Sequence, residues 1–139
     1  MRIGFIGLGN VGGKLASSIL RNGFDLIVRD LDNRLVNQFI EMGAKTAKTP
    51  AEVASNSDVI ITCLPHPSIS SEVMEAEGGI LNGLSDGKIW LEMSTTDESE
   101  VKRLGEKEIG LGADAVVCPV SGGSPPAATA NITIFAGCE

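Results

Sequence analysis

Short apolar runs of strand length alternate with stretches of helical spacing along the whole of this 139-residue chain. That alternation is what a parallel sheet with helices packed on its faces requires. Ile3 to Ile6 opens the series as a strand, and after it Val11, Leu15 and Ile19 recur every four residues, with Ala16 and Leu20 widening the stripe. Asn22-Gly23 closes that helix. Leu26-Ile27-Val28 reads as a second strand, and Asp32 can cap a second helix with Leu35, Val36, Phe39 and Ile40 on its buried face and Gly43 at its end. Ala44 to Ala47 is a weak third strand, followed by Thr49-Pro50-Ala51-Glu52, a capping box with proline at the first helical position. Val59 to Leu64 has the continuous apolar character of a strand buried on both faces, broken by Pro65-His66-Pro67. Ile89 to Met93 and Ala115 to Cys118 supply a fifth and a sixth strand, and Ile132 to Phe135 a last one. The pattern predicts an α/β fold with a doubly wound, mostly parallel sheet and helices on both faces.

The length suits one domain with a real core. A composition of 42% hydrophobic and 21% charged residues is that of a globular protein rather than a disordered one. A net charge of -7 with 11 scattered basic residues argues against a nucleic-acid surface, which needs clustered Lys and Arg. No apolar stretch reaches the length of a membrane span, and Met1-Arg2-Ile3 runs directly into strand-like sequence, so the cytoplasm is the expected compartment. Cys63, Cys118 and Cys138 are odd in number and widely spaced, as reduced thiols are. The single histidine, His66, lies between two prolines away from any ligand spacing, so no metal site is expected.

Gly7-Leu8-Gly9-Asn10-Val11-Gly12 has the G-x-G-x-x-G spacing. Glycines alone at that spacing are a weak signal, but here they follow a predicted strand, open a predicted helix and are answered by Asp30, 23 residues after Gly7, at the end of the next strand. This is the dinucleotide-binding context of a Rossmann-type fold. Gly7 allows a tight turn, Gly9 lets the backbone approach a pyrophosphate, and Gly12 permits close packing of helix on strand. The helix N-terminus supplies amide donors and the positive end of a dipole. Asp30 favours NAD, because a carboxylate accepts from ribose hydroxyls and repels a 2'-phosphate; Arg29 and Arg34 leave NADP open.

Three further segments fall in an order that resembles the 3-hydroxyacid dehydrogenase family, which takes in 3-hydroxyisobutyrate dehydrogenase, tartronate semialdehyde reductase and the related 6-phosphogluconate dehydrogenase. Asp58-Val59-Ile60-Ile61-Thr62-Cys63-Leu64-Pro65 is similar to the family's strand ending in Leu-Pro, which implies a nicotinamide-side role for Leu64 and Pro65. Glu92-Met93-Ser94-Thr95 resembles the family's Asp-x-Ser-Thr, whose threonine touches the cofactor, and so implies that contact for Thr95. Cys118-Pro119-Val120-Ser121-Gly122-Gly123 is similar to Ala-Pro-Val-Ser-Gly-Gly, which receives the substrate carboxylate. The chemistry of Ser121, Gly122 and Gly123 agrees, a hydroxyl beside backbone amides that can form an anion nest. All three segments lie just past predicted strand ends, where doubly wound sheets bind ligands.

Departures from the family are Val117 in place of an aspartate, Glu98 in place of a proline, and Ile69 where an asparagine often approaches the cofactor. The resemblance also implies a catalytic lysine on a long helix opening a second, helical domain. None of Lys14, Lys45, Lys48, Lys88, Lys102 and Lys107 matches it, so no catalytic residue is expected within 1–139, which reads as one dinucleotide-binding domain truncated before that helix. The expected activity is hydride transfer between NAD or NADP and a small 3-hydroxy acid or its semialdehyde, in an enzyme that could be a homo-oligomer. Two rivals stand beside it: an imine reductase or 6-phosphogluconate-type relative sharing this first domain, and a nucleotide-binding regulatory module without chemistry. Ser121-Gly122-Gly123 counts against the second, since a sensor has no need of it.

Overall fold

Five segments of the chain carry runs of β-branched and aromatic residues short enough to be strands, and in the computed structural model they lie side by side with a sixth. The structure describes residues 1–95, 97–121, 133–134 and 136–137. β1 (Arg2–Ile6), β2 (Asp25–Arg29), β3 (Lys45–Thr46), β4 (Val59–Thr62), β5 (Ile89–Glu92) and β6 (Asp114–Val117) form one sheet in the order β3-β2-β1-β4-β5-β6. Every pairing in it is parallel. The chain winds outward from β1 to β3, then crosses back to place β4 on the other side of β1. That reversal makes a crevice at the carboxyl ends of β1 and β4, where ligands bind in folds of this kind.

Side chains alternate across the strands and so feed two cores. Phe5, Val28 and Ile61 join Leu15 and Ala16 of α1 (Gly12–Arg21) and Val36 and Phe39 of α2 (Asn33–Glu41) on one face. Ile6, Ile27, Ile60 and Trp90 join Val53 of α3 (Pro50–Ser55), Met74 of α4 (Pro67–Glu75) and Leu104 of α5 (Glu98–Ile109) on the other. The doubly wound α/β architecture is as expected. Ile40, placed by its spacing on the buried side of α2, is instead exposed. Asp32 caps α2 and Thr49 caps α3, each accepting from a backbone amide of the first turn.

Two helices depart from the sequence pattern, whereas the last strand is present at Thr133–Ile134. α4 and α5 occupy stretches in which no helix is predicted. The final strand does not extend the main sheet: Thr133–Ile134 pairs antiparallel with Val120–Ser121 in a separate two-stranded sheet. Pro119 ends the run of β6, because it has no amide hydrogen to continue the ladder. No helix among the described residues is long and apolar enough to cross a membrane.

Candidate functional site: a cleft at the switch point

Strand register sets up the site. Ile6 pairs with Arg29 on one side and Thr62 on the other, and Thr62 pairs with Glu92, so β1, β2, β4 and β5 end nearly level. The ladder continues one step beyond them: the Gly7 amide donates to the Arg29 carbonyl, Cys63 to Ile6, Met93 to Thr62 and Cys118 to Glu92. Above these ends lies a cleft of about 920 Å³.

The glycine loop forms its floor, and the glycines serve different ends. Gly7 has φ of 99°, and a Cβ there would lie 2.2 Å from the Cys63 carbonyl oxygen. A Cβ on Gly12 would lie 2.1 Å from the Gly7 carbonyl oxygen, so the first turn of α1 rests directly on the loop. Gly9 differs, because nothing lies within 4 Å of its Cβ position and it faces the cleft. Side-chain caps close α2, α3 and α5 through Asp32, Thr49 and Asp97, whereas α1 has neither a side-chain cap nor an acidic residue in its first turn. An uncapped helix start beneath an open glycine suits an anion.

Asp30 ties this loop to the end of β2. Its Oδ2 accepts from the Leu8 amide at 2.7 Å and its Oδ1 from the Asp32 amide at 2.8 Å. Each carboxylate oxygen keeps capacity for a second hydrogen bond on the cleft side. Of the two arginines that left NADP open, Arg34 is paired with Asp32 and Arg29 stays at the cleft, its buried Nε without a hydrogen-bond partner. Arg34 is exposed and grips Asp32 through Nε at 3.1 Å and Nη2 at 2.8 Å, which lowers the Asp32 pKa. Arg29 folds back onto the Asp30 carbonyl and lines the cleft.

At the far end the walls are held by side chains rather than by glycines. The Leu64 amide donates to Ser94 Oγ at 2.7 Å, and the Ser94 amide donates to Glu92 Oε1 at 2.8 Å. Glu92 and Glu108 are both fully buried. Burial pushes the Glu92 carboxyl above the usual range against the opposing hydroxyls of Ser94, Thr62 and Ser70; burial and then the Glu92 charge push Glu108 up to about 9. Burial, helped by Glu92, also raises the Cys63 thiol to about 11, which makes it a packing group and no nucleophile at neutral pH.

Of the residues singled out from sequence, Gly7, Gly9, Asn10, Val11, Gly12, Asp30, Leu64, Pro65 and Thr95 line this one cleft. Leu8 does not, since its side chain is buried in the core and only its amide turns toward Asp30. Ser121 is placed by its backbone in the small sheet, and its side chain, with Gly122 and Gly123, lies outside the described residues. Ile69 also lines the cleft, as does Leu31, which is 89% exposed at the Asp30 end and escaped the motif because it is a lone apolar residue. Ser94 escaped because nothing in the sequence shows that its hydroxyl would meet the Leu64 amide.

The family profile for the NAD binding domain of 6-phosphogluconate dehydrogenase matches residues 2–139. The chain belongs to this family. It is 38% identical over 135 residues to mitochondrial 3-hydroxyisobutyrate dehydrogenase of Rattus norvegicus, covering 97% of this chain and 40% of that protein. It is 34% identical over 137 residues to 2-(hydroxymethyl)glutarate dehydrogenase of Eubacterium barkeri, covering 99% of this chain and 46% of that protein. Among solved structures, Psf3 in complex with NADP+ and 2-OPP superposes with a TM-score of 0.93 at 25% identity, over 99% of this chain and 49% of that one. This NAD-binding domain thus spans less than half the length of the relatives it matches.

Proposed function

We propose that the domain holds NAD in preference to NADP across its switch point and serves hydride transfer between the cofactor and a small 3-hydroxy acid. The observation that carries this reading is the pairing of the Leu8 amide with Asp30 above an uncapped helix start, which sets a pyrophosphate cradle and a ribose acceptor at one fixed spacing. Gly9 would face the pyrophosphate, its open Cβ position leaving the room that group needs. Gly7, Asn10, Val11 and Gly12 shape the rest of the cradle, and Leu8 contributes through its backbone. Asp30 would accept from the adenosine ribose, and its charge disfavours a 2'-phosphate while Arg34 is occupied by Asp32.

Leu64, Pro65 and Thr95 would flank the nicotinamide, which supplies the hydride acceptor and donor. Ser121, Gly122 and Gly123 would bind the substrate carboxylate. When bound, the nicotinamide would supply the hydride acceptor for the hydroxyl carbon, and the hydroxyl proton would need a general base. We assign the proton transfer to the lysine that the family resemblance implies on a helical second domain, outside 1–139, rather than to Glu72 or Glu77, the exposed carboxylates that also line the cleft. Residues 1–139 form the cofactor domain of that longer enzyme. We place the protein in the cytoplasm, and fractionation of the source cells tests this against the mitochondrial location named for the rat relative.

Titration of the chain with NAD and NADP tests the cofactor reading, with tighter NAD binding expected and that preference lost in Asp30→Ala. Assay with small 3-hydroxy acids should give turnover only once the chain is joined to the sequence that follows it in its gene. A clear NADP preference, or turnover by the short chain that survives Ser121→Ala, would overturn the assignment.

A further inference from the structure

The nicotinamide end of the cleft rests on a buried carboxyl. We propose that Glu92 is a positioning residue, which holds Ser94 and, through Ser94, the backbone of Leu64 in the place that the nicotinamide half of the cofactor requires. The inference rests on the cofactor reading above and concerns a residue that would touch neither cofactor nor substrate.

Backbone pairing brings the two loops only as far as Met93 and Cys63, whose amides complete the ladders onto Thr62 and Ile6. Beyond that step the link between the loops after β4 and β5 is made by side chains. Ser94 Oγ accepts from the Leu64 amide at 2.7 Å, and Glu92 Oε1 accepts from the Ser94 amide at 2.8 Å. Glu92 thus fixes the turn from which Ser94 reaches across, and Ser94 satisfies a partly buried amide that would otherwise lose its partner. Leu64 and Thr95, on either side of this bridge, both line the cleft, as does Ser94 itself.

A second observation separates this role from ordinary packing. Glu92 is fully buried, and its Oε2 has no hydrogen-bond partner; Ser70 Oγ of α4, facing the same carboxyl, is buried and unpartnered as well. A carboxyl in such a place is costly, and an apolar side chain would fill the space with less penalty. What an apolar residue could not do is accept from Ser94. Among the described residues, the groups that act on Glu92 or feel its charge are Thr62 of β4, Ser70 of α4, Glu108 of α5, and Cys63 and Ser94 in the adjoining loops, and none of these is a cation.

The test compares NADH with ADP-ribose, which keeps the adenosine and pyrophosphate and lacks the nicotinamide. Ser94→Ala and Glu92→Ala should each weaken NADH about tenfold and leave ADP-ribose within about twofold, the size expected for one lost hydrogen bond at a loop. Glu92→Gln, whose amide oxygen can still accept from Ser94, should restore most of the NADH affinity. Amide exchange at Leu64 should quicken in Ser94→Ala. If Glu92→Ala fails to fold, Ser94→Ala decides alone, since it removes one oxygen. Equal losses for both ligands, or no loss for either, would make Glu92 merely structural and overturn the proposal. A wild-type chain that binds ADP-ribose as tightly as NADH overturns it too. Binding of neither ligand by the wild type would overturn the cofactor reading itself, and this inference with it.

Discussion

The two ends of the cleft are built on opposite principles. At the β1 and β2 end the geometry depends on atoms that are missing: side chains at Gly7 and Gly12 would collide with backbone at 2.2 and 2.1 Å. At the β4 and β5 end it depends on polar atoms that are present, buried, and only partly satisfied. The first end should tolerate no addition at Gly7 or Gly12, and the second no removal. Backbone packing can be specified by glycine spacing alone, whereas the second end needs particular side chains to meet across the fold.

The largest expected effect lies at the first end. Gly12→Val should lower stability by about 3 kcal/mol or more and abolish cofactor binding, because the neighbour it meets is backbone and cannot rotate away. Thermal unfolding and an NADH titration check both parts. Ser121→Ala, by contrast, should spare the cofactor. A Gly12→Val chain that kept its melting temperature would break the contrast, since that end would then have slack.

The next effect probes the buried carboxyls. Glu108 has its pKa raised from 4.5 to about 9. The folded chain therefore keeps a proton that the unfolded chain releases across this window, and stability falls as pH rises from about 4.5 to about 9. Glu92 is shifted in the same direction. Glu108→Leu should raise Tm at pH 8 by about 5 °C or more, with the gain shrinking toward pH 4, below the unfolded value of 4.5, where the carboxyl is mostly protonated in either state. Melting curves at both pH values check this. A gain independent of pH would mean that packing alone separates the variant from the parent.

The same contrast explains what could be read before folding. The glycine loop, Asp30 and the buried strands are local features, and Gly7, Asp30 and Ile60 lie where their spacing puts them. α5 was hidden because its buried register is Val101, Leu104, Gly105 and Glu108, so a carboxyl and a glycine stand where the apolar stripe should continue. α4 was hidden for a related reason. Its buried face is Ser70 and Met74, while the apolar Ile69 and Val73 line the cleft. Leu8 sits within the fingerprint but packs into the core, since the loop turns its side chain inward and its amide toward Asp30. The Ser94 bridge joins residues 30 apart in sequence, and no periodicity signals such a contact.

Gly9 offers the most direct test of the claim that this cleft receives a dinucleotide with its pyrophosphate on the glycine loop. It is the glycine of the fingerprint whose Cβ position has nothing within 4 Å, so the folded chain has no internal reason for a glycine there. Measured side by side with the parent, Gly9→Ala should melt within about 1 °C of it, because the added methyl meets no protein atom. NADH and ADP-ribose should both bind at least about tenfold more weakly, because that methyl occupies the approach of the pyrophosphate. Unchanged affinity for both ligands in a chain of unchanged stability would contradict the account, since the pyrophosphate would then have to lie somewhere else.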